Sequence, residues 1–286
     1  MKKIEKGRQF VTEHLTLFRC LVCDQPYDHL NENSLVCVNG HQIDLNKRGS
    51  LVFLNHAVNT EYDDKMLAAR RRVLAAGLFD GIIDAVGRAL PDTPQTLLDV
   101  GTGEGTPLMR LLERRQVGDT AVGFDISKAG INLATQLTTD AFFTVADLAQ
   151  LPFNDQSFDS VIEFFSPSAY REFNRVAKPN GHLVKVIPAS GYLKELREML
   201  YPTTSENHTY DNTRVRELFA AHYPDMTSEH VTYSWTIPMD LWVDLLHMTP
   251  LHWGARPEAQ AAAEQKQLTQ VTVDVLVLST NINKNI

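Results

Sequence analysis

The chain has 286 residues, 43% of them apolar and 22% charged, with a formal net charge of −8. This is enough for one large domain or one domain with appendages, and enough apolar side chain for a sizeable core, which excludes wholesale disorder. No window reaches the roughly 20 apolar residues of a membrane helix, and the basic start MKKIEKGRQF leads into no secretory apolar run, so a soluble cytoplasmic protein without membrane contact is expected.

The first informative stretch is FRCLVCDQPYDHLNENSLVCVNGHQIDLNKRG. It holds all three cysteines, Cys20, Cys23 and Cys37, and then His41. Three cysteines cannot all pair within one chain. C-x2-C, a turn-rich excursion and C-x3-H instead aim three thiolates and an imidazole at one point. Such a set satisfies tetrahedral Zn2+ completely, so the site is expected to be structural. Buried free cysteines are the alternative. So short a segment cannot bury enough apolar surface to fold unaided, and the metal supplies the difference. The polar stretch from Asn55 to Asp64 reads as a hinge, dividing a zinc module (1–54) from a second domain (55–286).

In QTLLDVGTGEGTPLMRLLERR, the apolar run Leu97 to Val100 reads as a buried strand carrying Asp99. Gly101, Gly103 and Gly105 follow at alternate positions, and Thr106 opens a helix. Glycines here let a backbone approach a nucleotide closely. The spacing is D-x-G-x-G-x-G rather than the dinucleotide G-x-G-x-x-G, which suits S-adenosylmethionine. TAVGFDIS gives a second strand ending in Asp125, placed to accept the ribose hydroxyls. AFFTVADLAQLPF gives a third, with Asp147 for the adenine amino group and Leu148 against the ring. FDSVIEFF is the fourth strand. EFNRVAKPNGHLVKVIP reads as a helix, a turn at Pro179 to Gly181, and the fifth strand. TRVRELFAAHY and PMDLWVDLLHM read as amphipathic helices, and SEHVTYSWTI and QLTQVTVDVLVLS as two strands completing seven. The expected fold is α/β: a Rossmann-like, seven-stranded class I methyltransferase domain preceded by a small zinc-binding module.

The knuckle, GHQIDLNKRGSLVFL, the helix with AARRRVLAAGLFDGI, the LDVGTGEG turn and the late MTPLHWGARPE together resemble the RlmA-type 23S rRNA (guanine-N1)-methyltransferases. The likeness runs from about Arg19 to near the C-terminus. Two departures stand out: some eighteen residues precede the knuckle, and GTGEGTP lacks an aromatic pair after its last glycine. The resemblance implies S-adenosylmethionine as donor and, as acceptor, a guanine N1 in a hairpin loop of domain II of 23S rRNA, by the peptide exit tunnel. One branch of the family is linked to macrolide resistance. It also implies Cys20, Cys23, Cys37 and His41 as zinc ligands, and Phe79, Pro107, Leu108 and Tyr192 at cofactor-contacting positions.

The acidic net charge is uneven. Residues 1–72 hold 11 Lys or Arg against 9 Asp or Glu, and the remainder 16 against 26. Lys2, Lys3, Lys6, Arg8, Lys47, Arg48 and Arg70 to Arg72 form local basic clusters that can track phosphates. The zinc module is expected to meet the RNA loop while the second domain performs chemistry. A loop guanine must be splayed out to react. Glu163 could orient or deprotonate it, Phe165 or Tyr170 could stack on it, and Trp253 and Arg256 could close over the site. Each has a fold-supporting alternative, and no general base is assigned. Two-fold pairing could widen the cleft, so a homodimer is an open expectation. Two other functions remain: a small-molecule methyltransferase with a structural knuckle, and a non-catalytic RNA-binding protein on the same fold.

Overall fold

The computed structural model describes residues 1–54 and 63–282. The hinge expected from Asn55 to Asp64 lies outside the described residues except for its last two. The chain opens with α1 (Lys3–Glu13), then a three-stranded antiparallel sheet of β1 (Tyr27–Asn31), β2 (Ser34–Cys37) and β3 (Gln42–Asp44). There follow α2 (Asp64–Ala75), α3 (Asp80–Ala89), β4 (Thr96–Val100), α4 (Thr106–Arg115), β5 (Thr120–Asp125), α5 (Lys128–Ala134), β6 (Phe142–Val145) and β7 (Phe158–Phe164). The C-terminal part comprises α6 (Tyr170–Val176), β8 (Ala177–Pro188), α7 (Lys194–Leu200), α8 (Thr213–His222), β9 (Thr227–Thr236), α9 (Trp242–His247), α10 (Pro250–Trp253), α11 (Pro257–Gln265) and β10 (Gln270–Ile282).

Seven strands form one sheet in the order β6-β5-β4-β7-β8-β10-β9, parallel except for β10. From β4 the chain builds outward to β5 and β6 on one side, then returns to add β7 and β8 on the other. The strand order therefore reverses beside β4, where a crevice opens at the carboxyl ends of the strands. Alternation along β4 explains its double burial: Leu97 faces the layer of α3 and α4, whereas Leu98 and Val100 face the opposite layer with Phe153 and Phe158.

Two expected elements differ. AARRRVLAAGLFDGI is not one helix, because Gly77 at φ +95° ends α2 and α3 starts afresh at Asp80. The turn at Pro179 to Gly181 is a bulge inside β8 instead of a break before it. Pairing jumps from Phe158 with Ala177 to Ser160 with His182, and Asn180 at φ +60° absorbs the surplus residues.

The N-terminal residues are part of the same core. Phe18, Leu35, Leu51 and Phe53 share an apolar cluster with Phe142, Phe153 and Phe158 of the large sheet's layer. Phe10 of α1 stacks on Phe142 with centroids 4.9 Å apart, so the residues before the knuckle form a packed helix. Residues 51–53 pair alongside β6 through Val145 N–H to Leu51 carbonyl at 3.0 Å and Phe53 N–H to Val145 carbonyl at 2.9 Å. This covers the free edge that β6 would otherwise present. Among the described residues no helix is long and apolar enough to cross a membrane.

Candidate active site

The glycine turn leaves β4 at the reversal point. Gly103 adopts φ +57°, and a Cβ built there meets nothing within 4 Å, so its outer face is open space. Gly105 adopts φ +85°, but a Cβ there would lie 2.9 Å from Ala134 Cβ and 3.0 Å from Phe143 Cζ. One glycine thus admits a ligand and the other admits the packing of α5 and β6. Thr106, Pro107 and Leu108 open α4 and are buried in its packing; Thr106 Oγ1 donates to Glu104 at 2.5 Å.

A cavity of about 600 Å³ lies over this turn, within the range of small-molecule sites. Gly101, Gly103, Asp125, Asp147 and Leu148 line it as the sequence places them. Asp125 accepts from Gly103 N–H at 2.8 Å and from Ser127 N–H at 2.7 Å, each carboxylate oxygen keeping a further lone pair. Burial raises its pKa, partly offset by those N–H groups. Asp147 accepts from Ala149 N–H at 2.8 Å, which fixes its carboxylate at the cavity rim.

Asp99 does not line the cavity; it sits 1% exposed beneath the turn, with Oδ1 lacking a hydrogen-bond partner. Burial, reinforced by the charges of Asp125 and Glu104, pushes its pKa up to about 7. Such a carboxylate is poised to be neutralised by a cationic group.

Phe79 and Tyr192 also stand behind the cavity wall. Both flank Phe165, with ring centroids 5.3 Å from it in each case. Phe165 lines the cavity and holds φ +59°, a left-handed conformation rare for a bulky residue. Ser166, the next residue, anchors this turn by donating to the Val100 carbonyl at 2.7 Å.

Glu163 is fully buried below the same turn. It lies 3.2 Å from Lys185 Nζ and accepts from Ser168 Oγ at 2.9 Å, while Lys185 also donates to the Ser166 carbonyl at 2.8 Å. Burial pushes the pKa of Glu163 up to about 7 against the opposing pull of Lys185 and Ser168. Tyr170 opens α6, its ring 4.0 Å from that of His222 and away from the cavity lining. Arg256 is exposed at the N-terminus of α11, and Trp253 Nε1 donates to the His247 carbonyl at 3.3 Å.

Arg70 to Arg72, adjacent in the sequence as one basic run, have separate tasks in the structure. Arg70 lines the cavity and lies over the Phe79 ring at 5.4 Å. Arg71 donates to the Glu104 carbonyl at 3.0 Å, and Arg72 makes a two-pronged pair with Asp244 at 2.5 and 2.6 Å. Ser166 and Pro167, in the EFFSPSAY stretch expected to lie where a substrate base enters, line the cavity, and Leu67 is a further lining residue that no motif marked.

The knuckle residues converge. Cys23 and Cys37 sulfurs are 3.7 Å apart, Cys37 Sγ lies 3.5 Å from His41 Nδ1, and the four ligand atoms lie within 4.8 Å of one another. A tetrahedral zinc with bonds of about 2.3 Å to sulfur and 2.0 Å to nitrogen has edges of about 3.8 and 3.5 Å, so the set fits that ion. The N–H of Gln25 is the main cause lowering the Cys23 pKa to about 6, towards the thiolate a metal requires.

A seven-stranded sheet in this order, with a glycine turn and an acid-lined crevice at its reversal point, defines a class I methyltransferase domain. Residues 92–240 match the family described as a methyltransferase domain. The chain is 37% identical over 276 residues to YxjB of Bacillus subtilis, assigned by name to the 23S rRNA (guanine-N1)-methyltransferases, covering 93% of this chain and 98% of that one. It is 27% identical over 269 residues to the 23S rRNA (guanine(748)-N(1))-methyltransferase of Streptomyces fradiae, covering 90% and 94%. Phosphoethanolamine N-methyltransferase 2 of Haemonchus contortus, solved with S-adenosylmethionine, superimposes with a TM-score of 0.50 at 15% identity over 81% of this chain and 61% of that one, a likeness of fold alone. This chain belongs to the 23S rRNA (guanine-N1)-methyltransferase family. Membership implies S-adenosylmethionine. The open face at Gly103, the free lone pairs of Asp125 and the buried Asp99 with its unpartnered Oδ1 fit its ribose and cationic amino-acid end.

Proposed function

We propose that the enzyme methylates N1 of a guanine in the domain II hairpin loop of 23S rRNA, by the peptide exit tunnel, and that this modification affects macrolide sensitivity. What carries the reading is the union in one chain of a cofactor-sized cavity at the sheet's reversal point and a Cys3His knuckle, across the full length shared with the Bacillus subtilis relative.

S-adenosylmethionine supplies a methyl group already activated on sulfonium, so the protein's task is positioning and electrostatics. Gly101, Gly103 and Gly105 shape the turn, Asp125 accepts the ribose hydroxyls, and Asp147 and Leu148 hold the adenine. Asp99 sets the charge beneath the amino-acid end. Phe79, Tyr192, Thr106, Pro107 and Leu108 act one layer back, by fixing Phe165 and the start of α4.

Phe165 is the aromatic surface for the splayed guanine. Glu163, held by Lys185 and Ser168, is a positioning residue for the turn that carries it. Zinc on Cys20, Cys23, Cys37 and His41 fixes the knuckle. The knuckle, the nearby Lys47 and Arg48, and the exposed Arg256 face RNA phosphates.

The test is methyl transfer from labelled S-adenosylmethionine to large-subunit rRNA lacking the modification, with the labelled nucleotide mapped by mass spectrometry. A single N1-methylguanine in the domain II hairpin supports the proposal. Labelling elsewhere overturns the assigned loop, and cofactor binding without rRNA labelling favours a small-molecule acceptor.

A further inference from the structure

The late MTPLHWGARPE segment brings together a second group of metal-binding side chains. His247 ends α9, His252 lies in α10 and Glu264 lies in α11. Their ligand atoms all lie within 4.8 Å of one another. We propose that His247, His252 and Glu264 form a second divalent-metal site, suited to Zn2+, that clasps α9 and α10 to α11.

His252 is 6% exposed, and its Nε2 has no hydrogen-bond partner among the described residues. A buried ring nitrogen left this way is costly. Its nearest acidic atom is Glu264 Oε1, at 4.0 Å, and the same oxygen lies 3.4 Å from His247 Nε2. The His247–Glu264 contact is a long hydrogen bond, well beyond the about 2.7–2.9 Å of a tight charge-assisted one, and the 4.0 Å spacing to His252 is no bond. Two zinc ligands at about 2.0–2.1 Å in a tetrahedron stand about 3.4 Å apart. Of the three edges, His247–Glu264 already matches, His252–Glu264 is 4.0 Å, and the His247 and His252 nitrogens lie within 4.8 Å of each other, so side-chain adjustment has to draw the set together around the ion.

Two imidazoles and a carboxylate make a donor set that zinc accepts, with one position left for water. His252 forms the buried floor, while His247 and Glu264 are about half exposed, so the ion enters from solvent. The helices already meet beside the cluster: Trp242 Nε1 of α9 donates to the Ala263 carbonyl of α11 at 3.0 Å. Asp244 of α9 is gripped by Arg72 of α2, and α2 carries Leu67 and Arg70 into the cofactor cavity. An ion here fixes the helical layer that backs the cavity wall.

The test is Co2+ titration of the full-length protein after chelation, followed by optical absorption. Cobalt on the knuckle gives thiolate charge-transfer bands, whereas cobalt on two imidazoles and a carboxylate gives only weak visible bands. Two equivalents are expected for the wild type. E264Q and H247Q, both changes at half-exposed side chains, are expected to weaken the second equivalent by at least about 100-fold, the upper end of what loss of an outer-shell partner costs, and to leave the thiolate bands unchanged. One equivalent only, carrying thiolate bands, overturns the proposal. So does a second equivalent that both variants bind as tightly as the wild type. Missing thiolate bands with the weak second signal intact would count against the knuckle alone.

Discussion

Glu163 and Lys185 stand opposite each other on adjacent parallel strands, 3.2 Å apart, with both side chains out of solvent. Removing one member leaves the other buried and uncompensated. K185M is expected to lower stability at pH 8 by about 3 kcal/mol or more. In the wild type the raised Glu163 pKa means that its contribution is full below about 4.5 and is lost as pH rises through about 7. Without Lys185 that pKa rises further, so the deficit of K185M should shrink at pH 5.5. Urea unfolding of both proteins at the two pH values checks this, and an equal deficit at both would refute it.

Asp99 offers a pH dependence of binding. Its pKa is raised to about 7, mainly by burial, and a cationic ligand needs it ionised. Affinity for S-adenosylmethionine is therefore expected to fall by about tenfold per pH unit below 7 and to level off above 8. D99N should bind about tenfold more weakly at pH 8, through loss of the negative charge beneath the turn and not of a direct contact, and should lose the pH dependence. Calorimetric titration at pH 6, 7 and 8 measures both.

Gly103 and Gly105 should respond differently to the same substitution. G103A places a methyl group in open space, so its cost is the left-handed conformation, about 1 to 2 kcal/mol, and the main loss should be cofactor affinity. G105A adds a clash with Ala134, Leu137 and Phe143, giving about 2 to 4 kcal/mol of destabilisation. Thermal unfolding with and without S-adenosylmethionine separates the two. Equal stability losses would contradict the assignment of the open side to the ligand.

C37S, or chelation of the wild type, should open the knuckle locally. The apolar cluster joining Phe18 and Phe53 to Phe142 and Phe153 includes Cys20 and Cys37 but draws most of its members from outside the knuckle, and the cofactor cavity takes none of its lining from the knuckle. Limited proteolysis is expected to cut within 20–44, with cofactor affinity changed by less than about twofold and rRNA methylation lost. Loss of cofactor binding together with the knuckle would show that the cavity depends on it.

Much of this architecture was legible because the signals are local. Apolar runs bounded by turn residues marked β4, β5, β7 and β10, and an acid at a strand end next to a glycine turn marked the crevice. C-x2-C and C-x3-H marked the knuckle, since a two- or three-residue gap lets a tight turn aim both ligands at one point. Asp125, Asp147 and Leu148 fell on the cavity because their positions follow from strand ends alone.

What tertiary structure decided were pairings between residues far apart in the chain. Arg70, Arg71 and Arg72 read as one basic run, yet helical rotation of about 100° per residue sends them to the cavity, Glu104 and Asp244. Glu163 read as a candidate base until the register of β7 against β8 set Lys185 beside it. Phe79 and Tyr192 reached the site only through Phe165, and residues 51–53 became a partner for β6. Periodicity and spacing report which face of an element is apolar and where a turn falls. Which distant element meets that face depends on strand order and packing, and these are set by burial summed over the whole core.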